Sequence, residues 1–155
     1  MDEGARPVTG EDLPRIAELA RCAIADLATH KGGAVWSQRE ARAEPIDAAL
    51  AAELERDDVL LVAGTIDEVV VGYAAAHVQL LHDGTRLVVL TELYVEPEAR
   101  EVGVGEALLD SVIEWAGAQG AVGVDALALP GDRETKNFFE AAGLVARAIV
   151  VHRKL

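Results

Sequence analysis

Cysteine is almost missing from this chain: Cys22 stands alone among 155 residues. A single thiol rules out an intramolecular disulfide. Its surroundings, Ile16 to Leu27, are apolar on one helical face, so a buried structural thiol is expected rather than a nucleophile. Aromatic residues are scarce at 4%, although apolar residues make up 51%. The core is therefore expected to be built from small side chains, mostly Ala and Val, in close contact. Basic residues are few as well: 14 Lys and Arg stand against 27 Asp and Glu, for a net charge of -13. No short stretch is dominated by Lys and Arg, and a duplex needs a cationic face to displace its counterions. No nucleic-acid partner is expected. The acidic surface suits a cationic substrate such as an amine, and it also serves solubility. No N-terminal apolar run resembles a signal peptide, and no stretch approaches membrane-spanning length. We expect a soluble cytoplasmic protein with no membrane partner and no metal.

What is present fits one domain over residues 1–155. Arg6 to Val8 reads as a short strand. Thr9 offers an N-cap hydroxyl, with Asp12 three residues on as an acidic approximation to a capping box. Leu13, Ile16, Ala17, Leu19, Ala20 and Ala23 then follow at helical spacing, up to His30-Lys31-Gly32-Gly33. Ala34 to Glu44 has no clean period and reads as a loop. Pro45 and Asp47 open a second helix, with Ile46, Ala49, Leu50 and Leu54 on one face. Val59 to Ile66, Val69 to Leu81 and Arg86 to Val95 read as strands joined by short turns, hence antiparallel. A helix then runs from Gly103 to Gly120, and Val122 to Leu129 reads as a strand parallel to its predecessor. Asp132 caps a short helix through Ala142, Gly143 ends it, and Leu144 to His152 reads as the last strand. The class is α/β (α+β). A mixed central sheet of about six strands, antiparallel in its N-terminal part, is flanked by about four helices.

The connection from Val95 to the helix carries the chemistry. Seven residues separate Val95 from Gly103, where the helix opens. The first amides of a helix have no internal partner, and the macrodipole adds positive charge there. That is a place for a phosphate. Gly103 and Gly105 let a bulky diphosphate approach the backbone, and Arg100 adds a guanidinium or a loop-fixing donor. A nucleotide-triphosphate loop would need Lys and Ser or Thr after the last glycine, where Glu106 and Ala107 stand. A dinucleotide fingerprint would need a third glycine, where Leu108 stands. Asp125, about 20 residues on, falls inside a strand rather than at its end. A plainer reading is that the glycines only allow close helix packing.

The stretch Leu93-Tyr94-Val95-Glu96-Pro97-Glu98-Ala99-Arg100-Glu101-Val102-Gly103-Val104-Gly105 resembles the coenzyme A motif of the GNAT superfamily of N-acetyltransferases. That pattern is Gln or Arg, two residues, Gly, one residue, then Gly or Ala, after a strand ending in V-x-P. Asn137 to Leu144 is similar to the family's last helix and the turn into its final strands. The resemblance implies an acetyl-CoA cosubstrate and an amine acceptor, with no resident metal. It implies that Leu93, Tyr94 and Val95 lie beside the pantetheine arm. The amides of Glu101, Val102, Gly103, Val104, Gly105 and Glu106 would take the pyrophosphate, with Arg100 beside them. Asp132 stands where many relatives contact the cofactor through asparagine. A homodimer paired through apolar strand edges is left open.

Some residues depart from the family pattern. Many relatives have glycine at Glu101 and tyrosine at Phe139, where the hydroxyl protonates the departing thiolate. A glutamate base used by some relatives is replaced by Leu127. Glu92, which interrupts an apolar run just before the cofactor strand ends, is the candidate base. Burial there would raise a carboxylate's pKa towards a useful value. An equal alternative turns Glu92 to solvent or pairs it with a neighbouring strand. His77, Tyr73 and Tyr94 are lesser proton-transfer candidates, and Trp36 could line the acceptor pocket. Arg133 and Lys136 could steer phosphates.

Overall fold

The computed structural model describes residues 1–155. Strand β1 (Glu3–Pro7) leads through a single turn to helix α1 (Leu13–Ala28), then α2 (Gly33–Arg39) and α3 (Ile46–Leu54). Strands β2 (Val59–Ile66), β3 (Val69–Leu80) and β4 (Arg86–Val95) form a meander. Helix α4 (Val104–Ala118), strand β5 (Gly123–Ala126) and helix α5 (Arg133–Ala141) complete the regular elements. The sheet order is β1-β2-β3-β4-β5. Successive pairs are antiparallel except β4 and β5, which are parallel across the α4 crossover.

Alternation along the middle strands sorts side chains to two faces. Val62, Ala74 and Ala76 face α4, where Val104, Leu108, Leu109 and Val112 are buried against them. Their neighbours Leu61, Ala63, Tyr73 and Ala75 face α1 and α3, against Ile16, Leu19, Ala20, Ile46 and Leu50. Burying a side chain such as Leu108 contributes about 1.5–3 kcal/mol. The small residues bring the layers close, as the composition implies. At Gly64 an added Cβ would stand 2.6 Å from Val104 Cγ1, so α4 lies directly on the β2 backbone. Thr9 N donates to Asp12 Oδ2 at 2.8 Å, giving the acidic capping contact. Asp12 also receives both terminal nitrogens of Arg6, which, with the backbone amide, holds its pKa down to about 2.

Several expectations are corrected. The sheet has five strands and the chain five α-helices. The segment taken for a loop holds α2, which starts after Gly32 turns the chain at φ +84. It carries too few apolar residues to mark a helical period, and one of them, Val35, points outward, 46% exposed. β1 starts earlier than Arg6, because its backbone pairs with β2 as far as Ile66. β5 stops at Ala126 rather than Leu129, since β4 offers partners only from Leu87 to Leu90. Residues 144–152 form no strand, because no neighbouring strand takes their backbone. Cys22 is exposed. It falls outside the buried stripe Ile16, Leu19, Ala20 and Ala23 on α1.

Candidate active-site cleft

β4 is interrupted by a bulge. Ala75 pairs with Glu92 and Ala76 with Leu90, leaving Thr91 as the extra residue. Thr91 Oγ1 closes the gap by donating to Ala75 O at 3.1 Å. A bulge bends its strand and re-aims its side chains. Beyond it, Glu92 to Val95 keeps β3 on one side but has no β5 partner on the other. The sheet therefore splays between β4 and β5. The opening is a cleft of about 770 Å³, lined by Leu93, Tyr94 and Val95 on one wall and by Leu127 and Leu129 on the other.

At one end of the cleft lies the turn into α4. The N–H groups of Glu101, Val102, Gly103, Val104, Gly105 and Glu106 donate to no acceptor within the protein; the next amide, Ala107, bonds Gly103 O at 3.0 Å. Six consecutive amides thus stay free at a helix N-terminus, an arrangement suited to an anion. Arg100 fixes the turn: its Nε donates to Val95 O at 2.8 Å, and its guanidinium lies 5.5 Å from the Tyr94 ring centroid. Gly103 adopts φ +101, where a side chain would be strained. At Gly105 an added Cβ would sit 3.3 Å from the Phe138 ring, so close packing explains that glycine as well. Glu101 adopts φ +66, the left-handed region that favours glycine. Arg100, Glu101, Gly105, Glu106 and Asp132 line the cleft. Asp132 also caps α5, accepting from Thr135 N at 3.3 Å.

At the other end is a polar cluster that the sequence did not show. Arg42, in the connection from α2 to α3, donates from Nε to Glu92 Oε1 at 3.1 Å and from Nη2 to Oε2 at 2.6 Å. It also pairs with Glu53. Tyr73 donates its hydroxyl to Glu92 Oε1 at 2.8 Å. The Arg42 and Glu92 side chains are 9% and 15% exposed. Burial alone would push the Arg42 pKa down, but the two carboxylates override it and hold it above its ordinary value. Burial pushes the Tyr73 hydroxyl well up, reinforced by Glu92. Glu92 therefore faces inward, and it is held by Arg42 and by Tyr73 of the neighbouring strand β3, so burial and the alternative of pairing with a neighbouring strand hold together. Arg42 and Glu92 are 50 residues apart, and no local pattern links them.

Trp36 lines the cleft, as do Tyr73, Tyr94 and the buried Phe139, whose ring lies 5.6 Å from that of Phe138. Tyr94 reaches Asp26 at 3.4 Å. His77 on β3 lies outside the cleft, and so do Arg133 and Lys136; Lys136 pairs with Glu140. Six carboxylates line the cleft (Asp26, Glu92, Glu101, Glu106, Asp132 and Glu134) against two guanidiniums, Arg42 and Arg100. No group of three His, Cys, Asp or Glu side chains is placed to hold a metal. No helix is long and apolar enough to cross a membrane.

Similar folds are found among solved structures. AAC(6')-Iy, in complex with a bisubstrate analog of CoA and monomethyl-acetylneamine, superposes with a TM-score of 0.78 at 18% identity, covering 100% of this chain and 99% of that one. An aminoglycoside acetyltransferase from an uncultured soil metagenomic sample, in complex with sisomicin, gives 0.74 at 18% identity, covering 99% and 95%. An acetyltransferase of Trypanosoma brucei gives 0.70 at 19% identity, covering 99% and 100%. At these identities the likeness establishes the fold. No curated protein matches the sequence. The sequence model of the acetyltransferase (GNAT) family matches residues 19–144. With that match over most of its length, and with the splayed sheet and the free amides behind it, the chain belongs to the GNAT acetyltransferase family.

Proposed function

We propose that the chain is an acetyl-CoA-dependent N-acetyltransferase acting on a primary amine of a small molecule or peptide. The observation that carries this reading is the row of six unpartnered amides from Glu101 to Glu106 at the mouth of a splayed sheet. Those amides hold the pyrophosphate, with Arg100 stiffening the turn and Asp132 close by. The open edge of β4 at Leu93, Tyr94 and Val95 offers backbone groups to an amide-bearing arm. A bound acetyl-CoA supplies an acyl group activated as a thioester.

The acceptor enters from the end lined by Trp36, Arg42 and Glu92. The excess of carboxylates favours a cationic acceptor. An amine attacks only when neutral, so a proton must leave it, directly or through water. Glu92 is the group we assign to take it. Its Oε1 already accepts from Arg42 and Tyr73, while Oε2 accepts only from Arg42 and keeps capacity for one more proton. Phe139 has no proton to give, so the leaving sulfur takes one from solvent in the open cleft.

One specific pair of observations favours a second reading, an acyl-CoA-binding module of weak or no turnover: Phe139 brings no hydroxyl, and Glu92 is already paired. Titration calorimetry with acetyl-CoA tests the shared part of both readings, and absence of binding removes both. A panel of amines and peptide amines, followed by release of free CoA, separates them. Turnover with any acceptor supports the transferase; binding without turnover across the panel supports the module.

A further inference from the structure

Glu53 is a carboxylate that the chemistry so far leaves unused. It sits near the end of α3 and does not line the cleft. It reaches the cleft only through Arg42. Nη1 and Nη2 of Arg42 form a fork on Glu53, with Nη2 to Oε1 at 3.1 Å. Nε and Nη2 form a second fork on Glu92. One guanidinium thus bridges two carboxylates, and all three side chains are largely buried. Tyr73 adds only a neutral hydroxyl, on Glu92. Arg56, which also lies near Glu53, is itself paired with Asp58. The cluster therefore carries one surplus negative charge, which leaves room for one proton.

A buried Arg paired with a single carboxylate opposes proton uptake by that carboxylate. Neutralising the one partner strands a guanidinium away from water, and an uncompensated buried charge is strongly destabilising. With Glu53 in place, Arg42 keeps a counter-ion whether Glu92 is charged or neutral. We propose that Glu53 is a positioning residue for proton transfer, holding the charge of Arg42 while Glu92 carries the acceptor's proton. The proposal rests on the assignment of Glu92 as the base. In that step the amine nitrogen bonds to the thioester carbon and its proton passes to Glu92 Oε2. The cluster goes from one surplus negative charge to none, and solvent later removes the proton. Arg42 need not move: its fork on Glu53 is unchanged, and a protonated Oε2 still accepts from Nη2. The pairing of Glu92 then supports proton transfer instead of blocking it.

Glu92→Gln imitates the neutral form of the side chain, so stability alone tests the charge balance. Urea unfolding of Glu92→Gln, Glu53→Gln and the double variant is compared with the parent chain. Each single variant leaves Arg42 one carboxylate, and the double variant leaves none. The double variant should lose clearly more stability than the two single losses together, and additive losses overturn the proposal. A double variant that fails to fold while both singles fold is the extreme of the expected result. Turnover gives the second readout. With a good amine, Glu53→Gln should lower kcat about tenfold while KM stays nearly constant. If Glu92→Gln slows turnover and Glu53→Gln does not, this proposal alone is overturned. If Glu92→Gln leaves turnover unchanged, the base assignment falls and takes the proposal with it. The urea comparison needs no cofactor, so failure of the functional reading is told apart from failure of the charge balance.

Discussion

The two ends of the cleft satisfy their polar groups in opposite ways. At the start of α4, six amides have no partner in the protein. At the Arg42 end, every buried side-chain polar atom is satisfied, and Glu92 accepts three hydrogen bonds. An open set of fixed dipoles is ready for a ligand and costs little to reorganise. A closed network is rigid, and a ligand must compete with it. The first end leaves its dipoles open, and the second holds a carboxylate in place.

The largest effect should come from breaking the closed end. Arg42→Ala leaves Glu92 and Glu53 without their counter-ion and should cost about 3–5 kcal/mol of stability, as for a buried pair that loses one partner. Urea unfolding measures it, and a loss below about 1 kcal/mol would show that solvent reaches the cluster. Next, Glu92→Gln should lower turnover of a good amine on the order of 10²-fold near neutral pH, with acetyl-CoA affinity unchanged. Unchanged turnover there would remove Glu92 as the base.

The open end should respond in the other currency, ligand affinity. Gly103→Ala forces a side chain into φ +101. It should cost about 1–3 kcal/mol and weaken acetyl-CoA binding, because the amides lose their alignment. Equal affinity by calorimetry would mean that the amides do not hold the pyrophosphate. The smallest change is expected from Glu101→Gly. It removes a left-handed non-glycine residue and a carboxylate beside the free amides. Stability should rise by about 1 kcal/mol, and acetyl-CoA should bind several-fold more tightly. Weaker binding would show that the Glu101 side chain takes part in recognition.

Legibility follows the same division. The turn at the open end is local: Arg100, Gly103 and Gly105 lie within six residues, and their backbone roles follow from their order. The closed end joins Arg42, Glu53, Tyr73 and Glu92 from four separate segments. Only β-sheet register and helix packing bring them together. The bulge at Thr91 was equally invisible, because it is a mismatch between two strands rather than a property of either. α2 has too few apolar residues to mark a period, and residues 145–151 favour extended backbone by composition. That preference is real, but a strand also needs backbone hydrogen bonds to a neighbour, and residues 145–151 make none.

By itself the sequence determined the order of elements apart from α2 and the C-terminal segment, the two-faced alternation of the central strands and the local glycine turn into α4, since each depends on neighbours a few residues apart. Tertiary structure alone decided that β4 bends away from β5 to open a cleft. It also decided that Glu92 is held by Arg42 and Tyr73, and that β5 keeps a bare edge. Those outcomes depend on which distant backbones find hydrogen-bond partners and which do not.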